Sequence, residues 1–162
     1  MHAVLFPTHL AAAWLLGGKT RLSTTWLVLG AAIPDLVDKP LAMLGAVELF
    51  HTVGHSTILA VLIIPLAWRS PAALPIGVGW VSHVLLDAGH VIVNGRPLDA
   101  LFLGWPLVVP PDPLALGPMP FLLQYLFTPS FWSEFLIWAA AGWALLRSRG
   151  KQDRLSPDLD GA

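Results

Sequence analysis

In Val78–His90 (VGWVSHVLLDAGH), His83, Asp87 and His90 stand at i, i+4 and i+7, a spacing that projects them from one face of a helix. Their neighbours are apolar. An ionisable side chain at membrane depth costs about 2.5–3.5 kcal/mol on insertion scales, so groups placed there line a cavity, pair with one another or bind something. In Leu49–Ile58 (LFHTVGHSTI), His51 and His55 again stand at i and i+4, directly before an apolar helix. Two imidazoles at that spacing on one helix face chelate a single ion, the alternative being a hydrogen-bonding pair at an interface. The Glu that follows the first His in zincin peptidases is replaced by Thr52, which argues against a peptidase.

Gly30–Pro40 (GAAIPDLVDKP) puts Asp35 and Asp38 three residues apart between Pro34 and Pro40, a pattern that predicts a turn at a helix end. Neighbouring carboxylates raise each other's pKa unless a cation sits between them. A metal ion would supply that cation; the alternative is a solvated turn with Lys39 as counter-charge. His9 lies inside the first apolar stretch with no acidic neighbour in sequence, and Glu134, early in the last stretch, reads as an interfacial residue. There is no cysteine, so disulfides and thiolate ligands are excluded and a metal site must use imidazole and carboxylate, the donors that suit zinc or manganese.

The elements that must position these groups are apolar throughout. The 162 residues are 56% hydrophobic and 12% charged, with a mean hydropathy of +0.69, whereas a soluble domain is about 25% charged. So few charges cannot cover the surface of a soluble domain of this length, and lipid is the expected surroundings. The net charge of -1 shows no clustered basic surface, which excludes a nucleic-acid partner held through phosphates.

Five apolar stretches, roughly 3–18, 24–37, 56–68, 72–93 and 119–146, are bounded by charges, Gly or Pro. They predict an all-α, polytopic membrane protein of about five membrane-associated helices, forming a single domain over 1–146. Residues 98–120 are rich in proline and predict an interfacial or re-entrant loop, and 147–162 a polar, disordered tail. The first stretch lacks a basic flank and reads as a retained helix rather than a cleaved signal. With the N-terminus outside, Lys19, Arg21, Arg69, Arg147, Arg149, Lys151 and Arg154 fall on the cytoplasmic side, against only Lys39 and Arg96 outside. That bias predicts a multi-pass protein of the inner or plasma membrane with a cytoplasmic C-terminus. It also gathers the ends of the second and fourth stretches and the start of the third at the outer leaflet, where the Asp and His residues lie. Trp26, Trp68, Trp105 and Trp132, near segment ends, suit an interfacial aromatic belt.

The order His9, P-D-L-V-D, H-x-x-x-H-S, S-H-x-x-x-D and L-G-W-P resembles the membrane-bound, LexA-regulated family of metal-dependent hydrolases, which is grouped distantly with zinc-dependent phospholipase C and P1 nuclease. The likeness covers roughly residues 5 to 110. It implies that His9, Asp35, His51, His55, His83 and Asp87 are metal ligands and that Asp38 is a ligand or a partner of one. Thr52 stands where the family has Arg and Gly54 where it has Thr, which removes a phosphate-clamping side chain from that motif. His90 stands where Thr is common, as an extra ligand or a proton relay.

The expected activity is hydrolysis of a phosphoester or lipid-type substrate at one to three divalent ions, zinc or manganese, near the outer leaflet, with Asp35 or Asp38 as general base. The expected partners are membrane lipid and a small-molecule or lipid substrate. The rival is a transporter or metal-binding protein that uses the same residues as an ion path, though no internal repeat of the kind transporters carry is visible.

Overall fold

The computed structural model of the chain describes residues 4–47, 49–67, 70–109 and 118–155. In chain order the elements are α1 (Phe6–Gly17), α2 (Thr24–Met43), α3 (Thr57–Ala67), α4 (Ala73–Val93), a 3-10 helix (Pro97–Gly104), α5 (Pro118–Tyr125) and α6 (Pro129–Leu155). The described residues are helical with no strand, as the apolar periodicity predicts.

α2 and α4 form the centre, and glycine decides how closely they approach. A Cβ on Gly30 would run into the backbone carbonyl of Ile76, and one on Gly79 into that of Leu27. The two backbones therefore touch, as small-residue faces allow in helix pairs that lack bulky side chains at the crossing. Gly79→Ala is expected to destabilise the fold by about 1–3 kcal/mol, because the added methyl meets backbone rather than a side chain that could turn away. Thermal unfolding of variant and wild type checks this; an unchanged midpoint would mean that the helices can part freely.

α1 packs on α2 through Ala13, Leu27 and Ala31. A second cluster of Ala60, Trp80, Val84, Ala88, Val91 and Phe102 joins α3, α4 and the 3-10 helix. α2 and α4 both end in the same way: Gly45 (φ 70°) and Gly95 (φ 75°) take the left-handed conformation, and the next N–H returns to a carbonyl of the last turn, Ala46 to Leu41 and Arg96 to Val91, at 2.9 Å each. The C-terminal half of α2 and the segment that leads into α3 come together on α4 at His83 and Asp87.

Three expectations change. Asp35 and Asp38 lie inside α2, which continues through Pro34 and Pro40 to Met43 rather than turning at the prolines. The last apolar stretch is broken at Pro129 into α5 and α6, and α6 runs on to Leu155, into the stretch expected to be a disordered tail; its Arg, Lys and Gln are good helix formers. The proline-rich stretch is in part ordered as the 3-10 helix, while 110–117 lie outside the described residues, as do 156–162 and Trp68.

Among the described residues one helix, α4, is long and apolar enough to cross a membrane. α1 and α3, with 12 and 11 residues, reach only about 18 Å at 1.5 Å per residue, short of a hydrocarbon core of about 30 Å, and α2 carries two Asp, a Lys and two prolines. Five spans are therefore not what the helix lengths provide.

Candidate metal centre

His83 and Asp87 share a face of α4, with Nε2 and Oδ2 3.2 Å apart. The other groups reach them from three more segments. His9, on α1, stacks on the His83 ring with centroids 3.6 Å apart and its Nε2 3.2 Å from Asp87 Oδ1. His51 and His55 place their Nε2 atoms 3.5 and 3.2 Å from Asp87 Oδ2, and Asp35 Oδ1 lies 3.8 Å from both His55 and His83. His9, Asp35, His51, His55, His83 and Asp87 are all buried.

Hydrogen bonds behind the rings fix their tautomers. His83 Nδ1 lies 2.6 Å from the Ala31 carbonyl, which only accepts, so Nδ1 carries the proton and Nε2 presents a lone pair. His55 Nδ1 faces Asp38 Oδ2 at 2.7 Å and donates in the same way. The two Nε2 atoms are nevertheless 3.1 Å apart, a contact between lone pairs that requires a cation, either a proton or a metal ion. Asp87 Oδ2, surrounded by three imidazoles, takes no hydrogen bond, and neither ring nitrogen of His9 nor Nδ1 of His51 has a partner. Buried polar atoms left this way are costly unless something else satisfies them.

The spacing fits an ion. Ligands about 2.0–2.1 Å from a tetrahedral zinc lie about 3.3–3.4 Å from each other, and the contacts between donor atoms here run from 3.1 to 3.8 Å. Three buried groups could each hold a metal ion: His9, His83 and Asp87; Asp35, His55 and His83; His51, His55 and Asp87. Each imidazole has a single lone pair to give, so overlapping groups cannot all be filled at once, whereas the two oxygens of Asp87 can serve two ions.

Charge follows the same geometry. Burial, reinforced by the neighbouring His55, pushes His51 down to about 4 and keeps it neutral, the form that binds metal. His55 is pulled down by burial too, but its hydrogen bond to Asp38 and the charges of Asp87 and Asp38 together outweigh this and hold it up at about 9.

Of the places expected of Asp38, the geometry matches that of a ligand's partner rather than that of a general base. It accepts the backbone N–H groups of Thr52 (2.6 Å), Gly54 (2.9 Å) and His55 (3.3 Å), the Thr52 hydroxyl (3.0 Å) and His55 Nδ1. Both oxygens are saturated, so no lone pair remains for a substrate water or an ion. Asp38 instead shapes the loop that carries the two histidines and orients His55. That loop is not a helix, so His51 and His55 converge through its turns rather than along one helix face. Gly54 lies against the Pro34 carbonyl, where a Cβ would come within 2.6 Å, and Trp80 Nε1 donates to the Gly54 carbonyl at 2.6 Å. Asp38→Asn is expected to weaken metal binding by about 10–100-fold while leaving the helices intact, the size of effect seen when an outer partner of a ligand is lost. Chelator competition checks this; wild-type affinity would leave Asp38 with the folding of the loop as its only role.

His90, although on α4, is not brought to the cluster: Nδ1 bonds the Leu86 carbonyl at 2.8 Å and Nε2 is 4.0 Å from Glu134. Glu134 itself is buried rather than interfacial. It accepts Leu5 N–H at 2.9 Å and the hydroxyls of Thr8 and Tyr125, gripping the first turn of α1 where unpaired N–H groups and the helix dipole favour a carboxylate. That turn carries the site, since Val4 N–H donates to Asp87 Oδ1 at 2.9 Å and His9 follows Thr8. The Pro at the start of α1 was a readable sign of a helix N-terminus; nothing in sequence marked Glu134, 129 residues from Leu5, as its cap. Phe102, buried against the His51 ring at 5.1 Å, was equally silent.

Comparison with protein-family models, curated proteins and solved structures finds no match to the chain.

Proposed function

We propose that the chain is a membrane-embedded, metal-dependent hydrolase that uses zinc, with manganese as the alternative, to cleave a phosphoester or lipid-type substrate near the outer leaflet. One observation carries the reading: three imidazole Nε2 atoms and an unpartnered carboxylate oxygen converge at ion-coordinating distances in a buried site. The phosphoester part draws on the resemblance of the motif order to the LexA-regulated hydrolases. The membrane part draws on composition and on large apolar side chains left exposed along α2, α4 and α6, among them Leu36, Leu85 and Leu136.

The residues divide the work. His51, His55 and His83 around Asp87 Oδ2, with His9 at Asp87 Oδ1, would hold one or two ions. A divalent ion there supplies an activated water and offsets charge on the ester oxygens. In hydrolysis the water oxygen bonds to phosphorus, the ester P–O bond breaks and the leaving oxygen takes a proton. Asp35 is the carboxylate suited to take the water's proton, because its Oδ1 faces the cluster while Oδ2 is held by Lys39.

The test is metal analysis of the purified full chain together with hydrolysis of chromogenic phosphodiesters and phospholipids, wild type against His55→Ala. Bound zinc or manganese with turnover that His55→Ala abolishes is the expected result. A metal-free wild type would sink the proposal. Bound metal without turnover of any ester, combined with metal flux into vesicles, would make the chain a transporter instead.

A further inference from the structure

We infer that Lys39 is the anion-recognition residue of this centre, binding an oxyanion of the substrate such as the phosphate of a phosphoester. The inference rests on the hydrolase reading above and deepens it. Lys39 Nζ sits 2.5 Å from Asp35 Oδ2, the oxygen that does not face the other groups of the cluster, so it can remain in place while Oδ1 faces the site. Its side chain is 39% exposed whereas that of Asp35 is 3% exposed, which makes Lys39 the point at which the buried cluster reaches the surface.

An ammonium has three N–H donors. Asp35 takes one, and the Phe6 ring, 5.6 Å away, flanks the charge without using a donor. The others are available to phosphate oxygens lying beside the ions. The surroundings match an amphiphile: Leu36 and Met43, exposed on the same half of α2, and Leu44 just beyond its end provide apolar surface next to the cation. The shared ligand chemistry is a phosphate oxyanion, whether on a lipid head group or on a soluble ester.

The experiment uses the full chain in detergent, loaded with zinc, with inorganic phosphate as the probe. Phosphate affinity and zinc content are measured for wild type, Lys39→Gln and Lys39→Arg. Lys39→Gln is expected to keep its zinc, to bind phosphate about tenfold more weakly or worse, and to raise KM with little change in kcat. Lys39→Arg should recover most of the affinity. A lower wild-type KM for phospholipid in mixed micelles than for a short soluble phosphodiester would assign the anion to a lipid head group, and the reverse order to a soluble ester. Wild-type phosphate affinity in zinc-replete Lys39→Gln overturns the inference, as does loss of zinc from that variant, which would make Lys39 a holder of Asp35. A wild type that binds zinc but no phosphate overturns it while leaving the metal centre standing; a wild type that binds no zinc removes both.

Discussion

Asp87→Asn is expected to lower metal affinity more than about a hundredfold, beyond the range for loss of an outer-shell partner, and to abolish hydrolysis. The argument is the position of its two oxygens. Oδ1 accepts Val4 N–H and faces His9, while Oδ2 lies within 3.5 Å of His51, His55 and His83. No other carboxylate is near so many of the candidate ligands. Asparagine keeps the shape and can still accept the Val4 N–H, so the first turn of α1 stays docked, but it brings no charge to the imidazoles. Zinc titration against a competing chelator, with circular dichroism to confirm helix content, reads the effect directly. A variant that retains wild-type zinc affinity would mean that the ions, if present, are held elsewhere.

Metal affinity is expected to rise about tenfold per pH unit between pH 6 and 8 and to level off above about 9. An imidazole must be neutral at the nitrogen it gives to a metal. His55 is held at about 9 by Asp38 and Asp87, so at neutral pH its Nε2 keeps a proton in the place a metal ion would take, between His55 and His83. Binding must expel that proton. His51, lowered to about 4, is already neutral and steepens the dependence only as that pH is approached. The sign for the metal-free fold is the opposite: the proton on His55 stabilises it fully below about 6.5, and the contribution is lost as pH rises through about 9. Calorimetry of zinc binding in buffers of different ionisation enthalpy should show about one proton released per ion at pH 7. A flat affinity profile from pH 6 to 8 would remove His55 from the ligand set.

Both effects depend on contacts of unequal legibility. The pair His83 and Asp87 could be read from spacing, because four residues along one helix bring two side chains together whatever the rest of the chain does. The same rule over-reached at His90, which keeps the face but lies about 10.5 Å along the axis from His83 and turns to the Leu86 carbonyl and Glu134, and at His51 and His55, where the intervening segment is a loop. There the spacing pointed to the right residues through the wrong local structure.

Asp38 shows why the rest was hidden. Its carboxylate is occupied by donors from Thr52, Gly54 and His55, 14 to 17 residues away, and no local pattern distinguishes a carboxylate that folds a loop from one that meets a substrate. The prolines of α2 misled for a related reason: local propensity ends a helix at proline, whereas packing against α4 and Gly54 carries this one onward.

By itself the sequence determined the helical class, the apolar character of the surface, the restriction to imidazole and carboxylate donors, and the identity of the ionisable residues set in apolar stretches. These follow from composition and from periodicities of a few residues. Only the tertiary structure decided that His9 lies on His83, that Asp87 is surrounded by three histidines, that Asp38 faces inward to the loop and Lys39 outward, and that Glu134 holds α1 in place. Those are meetings of side chains tens of residues apart, set by the close crossing of α2 and α4 at glycine and by the docking of α1 and α6, and a short-range pattern carries no record of them.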